Sequence, residues 1–212
     1  MRVAILTCLG WAISSGQDLT GFSPGETDLG DAMEREYRLV VMRLLDYPKA
    51  TMAALNGPAF DAAVNIALAC DIAVASESSA PEQSFIKIGL VPDVGGTWLL
   101  PRIVGLKRAL ALTLTGDRMP VREAQSMGLI YRVFADVDFA AEKRALTEKL
   151  ASLSPAACQL TKDGLRASLD RDMDQQLRIE AGLQRQAGMT REFRDAIAVF
   201  RATRGASGPG SR

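Results

Sequence analysis

Between Phe85 and Gly105 the chain reads FIKIGLVPDVGGTWLLPRIVG, and this run constrains the fold more than any other segment. It sets one carboxylate, Asp93, between a proline and a Val-Gly-Gly turn, directly ahead of an apolar, helix-like stretch. Pro92 fixes its own backbone and biases Val91 to extended geometry, while Gly95 and Gly96 let another backbone or a ligand come close. Two roles are open to Asp93 on these local grounds. It is either the N-cap of a helix running through Thr97 and Leu100, or an acid held on a rigid apolar turn for proton transfer.

The first half of the chain has a βαβ rhythm. Residues 1–8, MRVAILTC, read as a buried strand, and 51–56 as a short strand ended by Asn56-Gly57-Pro58. A helix of small residues follows at 62–70 and another strand at 72–75. Leu29, Met33, Tyr37, Val40 and Leu44 recur at helical spacing, with Glu34, Arg35 and Arg38 outward, which predicts an amphipathic helix. Residues 9–18 read as a turn rich in small residues and 21–30 as a mobile loop punctuated by Pro24, Gly25 and Asp28. From Pro120 onward the pattern is mostly helical, with segments at 138–152, 155–169, 172–187 and 191–203 and one strand at 129–134. The expectation is an α/β core over 1–133, a helical region over 134–204 and a disordered tail over 205–212.

Composition removes several classes of function. The 212 residues suit one large domain, or one domain with an appendage. Basic and acidic residues number 25 each and the basic ones do not cluster, so nothing points to a nucleic-acid partner. The chain has no histidine, which excludes a Ser-His-Asp triad, a Cys-His pair and a histidine-ligated metal. Cys8, Cys70 and Cys158 are odd in number and widely spaced, unlike a disulfide framework or a zinc site, which points to a reducing compartment. No apolar run reaches membrane-spanning length and no leader pattern opens the chain, so the expectation is a cytoplasmic protein without a membrane partner.

Four ordered stretches carry a family resemblance: AISSGQDLTGF at 12–22, PKATMAALNGPAFDAAVNIALACDIAVAS at 48–76, IKIGLVPDVGGTWLLPRIVG at 86–105 and LTGDRMPVREAQSMGLIYRV at 114–133. Together they resemble the crotonase superfamily, the enoyl-CoA hydratase/isomerase group, from Val3 to about Arg204. The resemblance implies a spiral of ββα units and a helical C-terminal region that packs trimers, as a homotrimer or a hexamer built from two of them. It implies an acyl-CoA thioester as ligand, and no metal or cofactor beyond the coenzyme A of the substrate. Two backbone N–H groups would stabilise an enolate at the thioester oxygen, those of Ser15 and of Ala62. Removing one such donor costs on the order of a hundred- to a thousandfold in rate. Ser14, Gly16, Gln17 and Asp18 would meet the substrate from the first motif. Phe60, Asp61, Asn65, Phe85, Leu90 and Pro92 would meet it from the second and third.

Hydratases of this family resemble one another in carrying two glutamates, and the matching positions here are Asn65 and Phe85. Glu82 imitates the second glutamate but lies three positions off register. With neither acid in place, hydration is disfavoured and Asp93 becomes the acid/base candidate. The string PD-x-GGTWLLPR looks most like that of ring-epoxide isomerases, which implies removal of a proton from one carbon and its return to another. Phe85, Leu90, Val91 and Trp98 are either walls of that pocket or ordinary core. A relative that binds acyl-CoA without turning it over is one alternative; hydrolysis or dehalogenation through Asp93 is another.

Three departures from the family pattern are visible. The chain starts at what resembles the third strand of the family, so an apolar strand edge at Val3 to Leu6 is expected. Asp61 stands where relatives commonly have glycine. A carboxylate there, facing an enolate about 5–6 Å away at an effective dielectric of about 20, would cost roughly 3 kcal/mol. Finally, Thr203 occupies the place of a lysine that helps hold the coenzyme A phosphate, with Arg201 or Arg204 as substitutes or as ordinary helix-end charges.

Overall fold

A four-stranded parallel sheet organises the first part of the chain, with strands in the order β1 (Val3–Leu6), β2 (Ala50–Leu55), β4 (Ile72–Ser76) and β6 (Arg132–Phe134). The computed structural model describes residues 2–10, 14, 23 and 28–206. Parallel neighbours need crossover connections, and helices supply them here. α3 (Ala62–Ala69) links β2 to β4, and α4 (Gly96–Val104), α5 (Leu106–Thr115) and α6 (Val121–Ser126) link β4 to β6. A second, two-stranded parallel ladder pairs β3 (Ala59–Phe60) with β5 (Pro81–Glu82), and Ser14 bridges to Ala59 beside it.

β2, ATMAAL, is buried at every position, as a strand covered on both faces must be. Its alternation divides the interior in two. Ala53 and Leu55 face α3 and the larger core, whereas Met52 and Ala54 join Val74 and Phe139 on the other face. Helix α7 (Phe139–Ser152) covers that second face with Phe139, Leu146 and Leu150. This packing is why the first compact unit, Met1–Ala151, extends beyond residue 133, where the pattern turns helical. β1 lies at one edge of the sheet among the described residues, with Ile5 exposed.

The amphipathic helix expected from Leu29 onward forms with one interruption. Between α1 (Leu29–Ala32) and α2 (Arg38–Leu45), residues Met33–Tyr37 make a π-helical turn. Such a turn admits one extra residue and rotates everything after it. The inward face therefore passes from Val40, 45% exposed, to Val41, 8% exposed.

The second compact unit, Ser152–Arg212, contains α8 (Pro155–Ala167), α9 (Met173–Gly188) and α10 (Arg191–Ala206). Their starts follow the capping rules. Ser154 accepts from the Ala157 N–H at 3.2 Å with Pro155 in the first turn, and Asp172 accepts from the Gln175 N–H at 2.9 Å. α8 and α9 cross closely at Gly164, where a Cβ would stand 2.8 Å from Leu183 Cδ1. No helix among the described residues is long and apolar enough to cross a membrane.

Candidate active site

The site grows from the start of α3. Alanines fill this helix and the strands beneath it, so the helix lies close to the sheet with Ala62, Ala67 and Ala69 buried. Ala62 is the first residue of α3, and its N–H is among those a helix cannot satisfy internally. A cavity of about 480 Å³ opens beside it, walled by Ile5, Leu6, Ala54, Leu55, Ile66 and Tyr37 and reached by Ser14. The Thr7 hydroxyl, also in the wall, is spent on the Ala54 carbonyl at 2.9 Å.

Asp61 precedes this N–H with φ 53° and ψ −117°, a region that favours glycine. Hydrogen bonds account for its retention. The Asp61 N–H donates to the Glu82 carbonyl at 2.8 Å, and its carboxylate accepts the Ser84 N–H at 2.6 Å and the Ser84 hydroxyl at 2.9 Å. The carboxylate is thus turned toward Ser84 and satisfied there. The penalty expected for a charge facing an enolate applies to the other orientation.

Asp93 is held by its backbone, not by its carboxylate. Its carbonyl accepts the Gly96 N–H at 2.7 Å and the Asn65 Nδ2 at 2.9 Å. Asn65 is 0% exposed, and its Oδ1 accepts the Nε2 of buried Gln83 at 2.7 Å. Gly96 makes room for this amide: a Cβ there would lie 2.4 Å from Asn65 Nδ2. Val94 takes φ 49°, a costly conformation for a β-branched residue, and is buried in the core. Gly95, at φ 80°, occupies the cap position of α4, so Asp93 is not the helix cap.

This arrangement leaves the acid itself free. Asp93 Oδ1 is buried without a hydrogen-bond partner among the described residues. Burial raises its pKa from the ordinary 3.8 to about 6; its own backbone N–H opposes the shift and the charge of Asp61 adds to it. A carboxyl poised there can accept a proton and return it near neutral pH. Tyr37 feels the same charge: burial first, and then Asp93, push its phenol above the usual value. Tyr37 lines both the large cavity and a smaller hollow of about 270 Å³ walled by Met33, Val41, Val94 and Gly95.

The remaining sequence-predicted residues fall into three groups. Ser15, Gly16, Gln17 and Asp18 lie outside the described residues, as does most of the 21–30 loop. Phe85 is 5% exposed in a 3-10 turn, while Phe60 and Leu90 are half-buried and line none of the cavities described above. Pro92 faces a separate groove between α4 and α5. Val91 is 74% exposed, and Trp98 carries the Arg102 guanidinium 3.9 Å above its ring. Glu82 pairs with Lys87 at 2.8 Å. Arg201 is exposed on α10, and the side chains of Thr203 and Arg204 lie outside those described.

Sequence reasoning missed Tyr37 and Gln83 as parts of the site. Tyr37 reads as one more apolar position of a helix face, and no pattern announces a π turn. Gln83 has no local signal at all, because its partner is 18 residues away.

The family profile described as "Enoyl-CoA hydratase/isomerase" matches residues 1–207. A protein of Rhodobacter capsulatus named as a probable enoyl-CoA hydratase is 38% identical over 199 residues, which are 94% of this chain and 77% of that protein. The 1,2-epoxyphenylacetyl-CoA isomerase of Escherichia coli is 36% identical over 211 residues, 96% of this chain and 79% of the isomerase. The crystal structure of an enoyl-CoA hydratase/isomerase from Cupriavidus metallidurans superposes with a TM-score of 0.86 at 31% identity, covering 95% of this chain and 77% of that one.

Proposed function

The chain belongs to the enoyl-CoA hydratase/isomerase family, and from that premise we propose that it moves a proton within the acyl group of a coenzyme A thioester, with Asp93 as both acid and base. In this reading Asp93 takes a proton from one carbon of the acyl group, and the electron pair left behind delocalises onto the thioester oxygen as an enolate. The N–H of Ala62 receives that oxygen together with the N–H of Ser15. Asp93 then returns the proton to a different carbon, so the product is an isomer of the substrate and nothing is added or lost. Proton transfer of this kind needs no group beyond the coenzyme A of the substrate.

One observation supports this reading over hydration: Asp93 stands at the site with a carboxyl oxygen that has no hydrogen-bond partner among the described residues and a pKa of about 6, while Asp61, the acid whose charge it feels, is engaged with Ser84. Adding water requires one group to activate it and another to deliver a proton. At the positions of the two hydratase acids the chain has buried Asn65, occupied with the Asp93 carbonyl, and buried Phe85.

The test is to assay isomerisation and hydration of an enoyl-CoA in parallel on the wild-type protein and on Asp93→Asn. Loss of a carboxylate base should lower isomerisation by roughly a hundred- to ten-thousandfold. Hydration by the wild type that persists in Asp93→Asn would overturn the assignment.

A further inference from the structure

The N–H of Ala62 owes its direction to Asp61. A residue's ψ angle sets the plane of the peptide that follows it, so ψ −117° at Asp61 aims the Ala62 N–H. Combined with φ 53°, that conformation is costly for any residue but glycine and persists only where the surroundings over-determine it. Three consecutive residues do so here. The β3–β5 ladder pairs Phe60 with Glu82, which brings Asp61 alongside the residues after Glu82. The Glu82 carbonyl accepts the Asp61 N–H at 2.8 Å. Ser84 grips the carboxylate: its N–H donates to Oδ1 at 2.6 Å, and its hydroxyl reaches Oδ1 at 3.0 Å and Oδ2 at 2.9 Å. Between them, Gln83 donates to Asn65, which donates to the Asp93 carbonyl. One short segment therefore holds both the residue before the proposed oxyanion donor and, through Asn65, the backbone of the proposed base.

Asp61 occupies the N-cap position of α3, where aspartate ordinarily folds its carboxylate onto the first N–H groups of the helix. The positive end of the helix dipole favours the same placement. Yet Asp61 makes no side-chain cap bond. The Ser84 hydroxyl explains the exception, because hydrogen bonds to an ionised carboxylate are the strong ones and this one touches both oxygens. A carboxylate that swung back onto the start of α3 would meet the thioester oxygen with like charge, at the cavity wall where Ala62 stands.

We infer that Ser84 is a positioning residue, whose hydroxyl diverts the Asp61 carboxylate from the start of α3 and so keeps the Ala62 N–H aimed at, and open to, the thioester oxygen. Ser84 itself touches no substrate and acts only through Asp61. A glycine at position 61 would adopt the same turn without a clamp and would carry no charge to divert. This role deepens the reading of the Ala62 N–H as an oxyanion donor and rests on it.

The experiment reads the oxyanion donors on a bound ligand, without turnover. Isotope-edited infrared spectroscopy follows butyryl-CoA labelled with carbon-13 at the thioester carbonyl, on the wild-type protein, Ser84→Ala, Ser84→Thr, Asp61→Gly and the double variant Asp61→Gly/Ser84→Ala. Thermal melts confirm that all are folded. Binding to the wild type should move the carbonyl band to lower wavenumber. Ser84→Ala should lose roughly half of that shift, the share of one donor in two. Ser84→Thr, which keeps the hydroxyl, should hold the wild-type shift. In the Asp61→Gly background the further change Ser84→Ala should have no effect, because the carboxylate it restrains is gone. An equal loss from Ser84→Ala in both backgrounds, or no loss in either, overturns the inference and leaves the reading of Ala62 intact. A band that does not move on the wild type overturns the oxyanion reading and the inference with it. Neither result bears on Asp93, whose assignment is tested by turnover.

Discussion

The Nδ2 of Asn65 donates to the carbonyl of Asp93 at 2.9 Å, so the residue at the first hydratase-acid position holds the backbone of the proposed base. Asn65→Ala would orphan both the buried Gln83 amide and one bond to the Asp93 carbonyl. With the small cavity it leaves, the expected destabilisation is about 2–4 kcal/mol. Turnover should fall through kcat more than through KM, because the substrate contacts remain. A thermal melt and a steady-state profile check both.

Gly96→Ala tests the same contact from the other side. The added Cβ would lie 2.4 Å from Asn65 Nδ2, and α3 and α4 are too tightly packed to yield freely. Overpacking of this kind costs about 1–3 kcal/mol. The substitution should also displace Asp93 and reduce turnover, whereas Gly89→Ala, with open space at its Cβ, should leave the Asn65 contact intact at the cost of strain at φ 73°.

On the proposed role of Asp93, its pKa of about 6 sets the pH dependence of turnover. The base form is the ionised one, so kcat/KM should rise with pH through about 6 and flatten above it. In Asp61→Asn a negative charge that raises the Asp93 pKa is gone, and the rise should move to lower pH. The carbonyl oxygen of the new amide can still accept the Ser84 N–H, so the turn survives. A pH series of kcat/KM on both proteins reads the shift directly.

Stability should depend on the same group with the opposite sign. The folded state holds the Asp93 proton up to about pH 6, whereas the unfolded chain loses it near 3.8, so stability falls as pH rises through that window. Asp93→Asn escapes the penalty. Because the carboxyl is only half-buried, its advantage should be modest, about 1 kcal/mol at pH 7–8 and absent at pH 3–4. Chemical denaturation of both proteins at the two pH values measures it.

The helical unit leaves Leu165, Leu169, Met173 and Leu177 exposed on and between α8 and α9. Apolar side chains in such a series mark association surfaces. The trimer or hexamer that the family resemblance implies would use such a surface, so glutamate at Leu169 and Leu177 together should shift the protein toward monomer in analytical ultracentrifugation.

Much of this architecture was legible in the sequence for identifiable reasons. The helices from Phe139 onward end within a few residues of their predicted bounds, because Ser154, Pro155 and Asp172 are capping signals that act locally. β4 and α3 were readable because an apolar run and a small-residue helix leave few alternatives. The local reading of Asp93 as a cap failed because Gly95 and a positive φ at Val94 carry the turn past it. Val41 replaces Val40 on the inward face through the π turn, which no periodicity announces. The orientation of Asp61 depends on Ser84, 23 residues away, and only the folded ladder of β3 and β5 brings the two together.

Proton exchange tests the central claim most directly. The wild-type protein is incubated in deuterium oxide with an acyl-CoA that has an exchangeable α-proton, and mass spectrometry follows deuterium entering the acyl group. If Asp93 carries the proton, the wild type incorporates deuterium and Asp93→Asn slows incorporation by at least about a hundredfold while still binding the thioester. Equal incorporation by the two proteins would contradict the account.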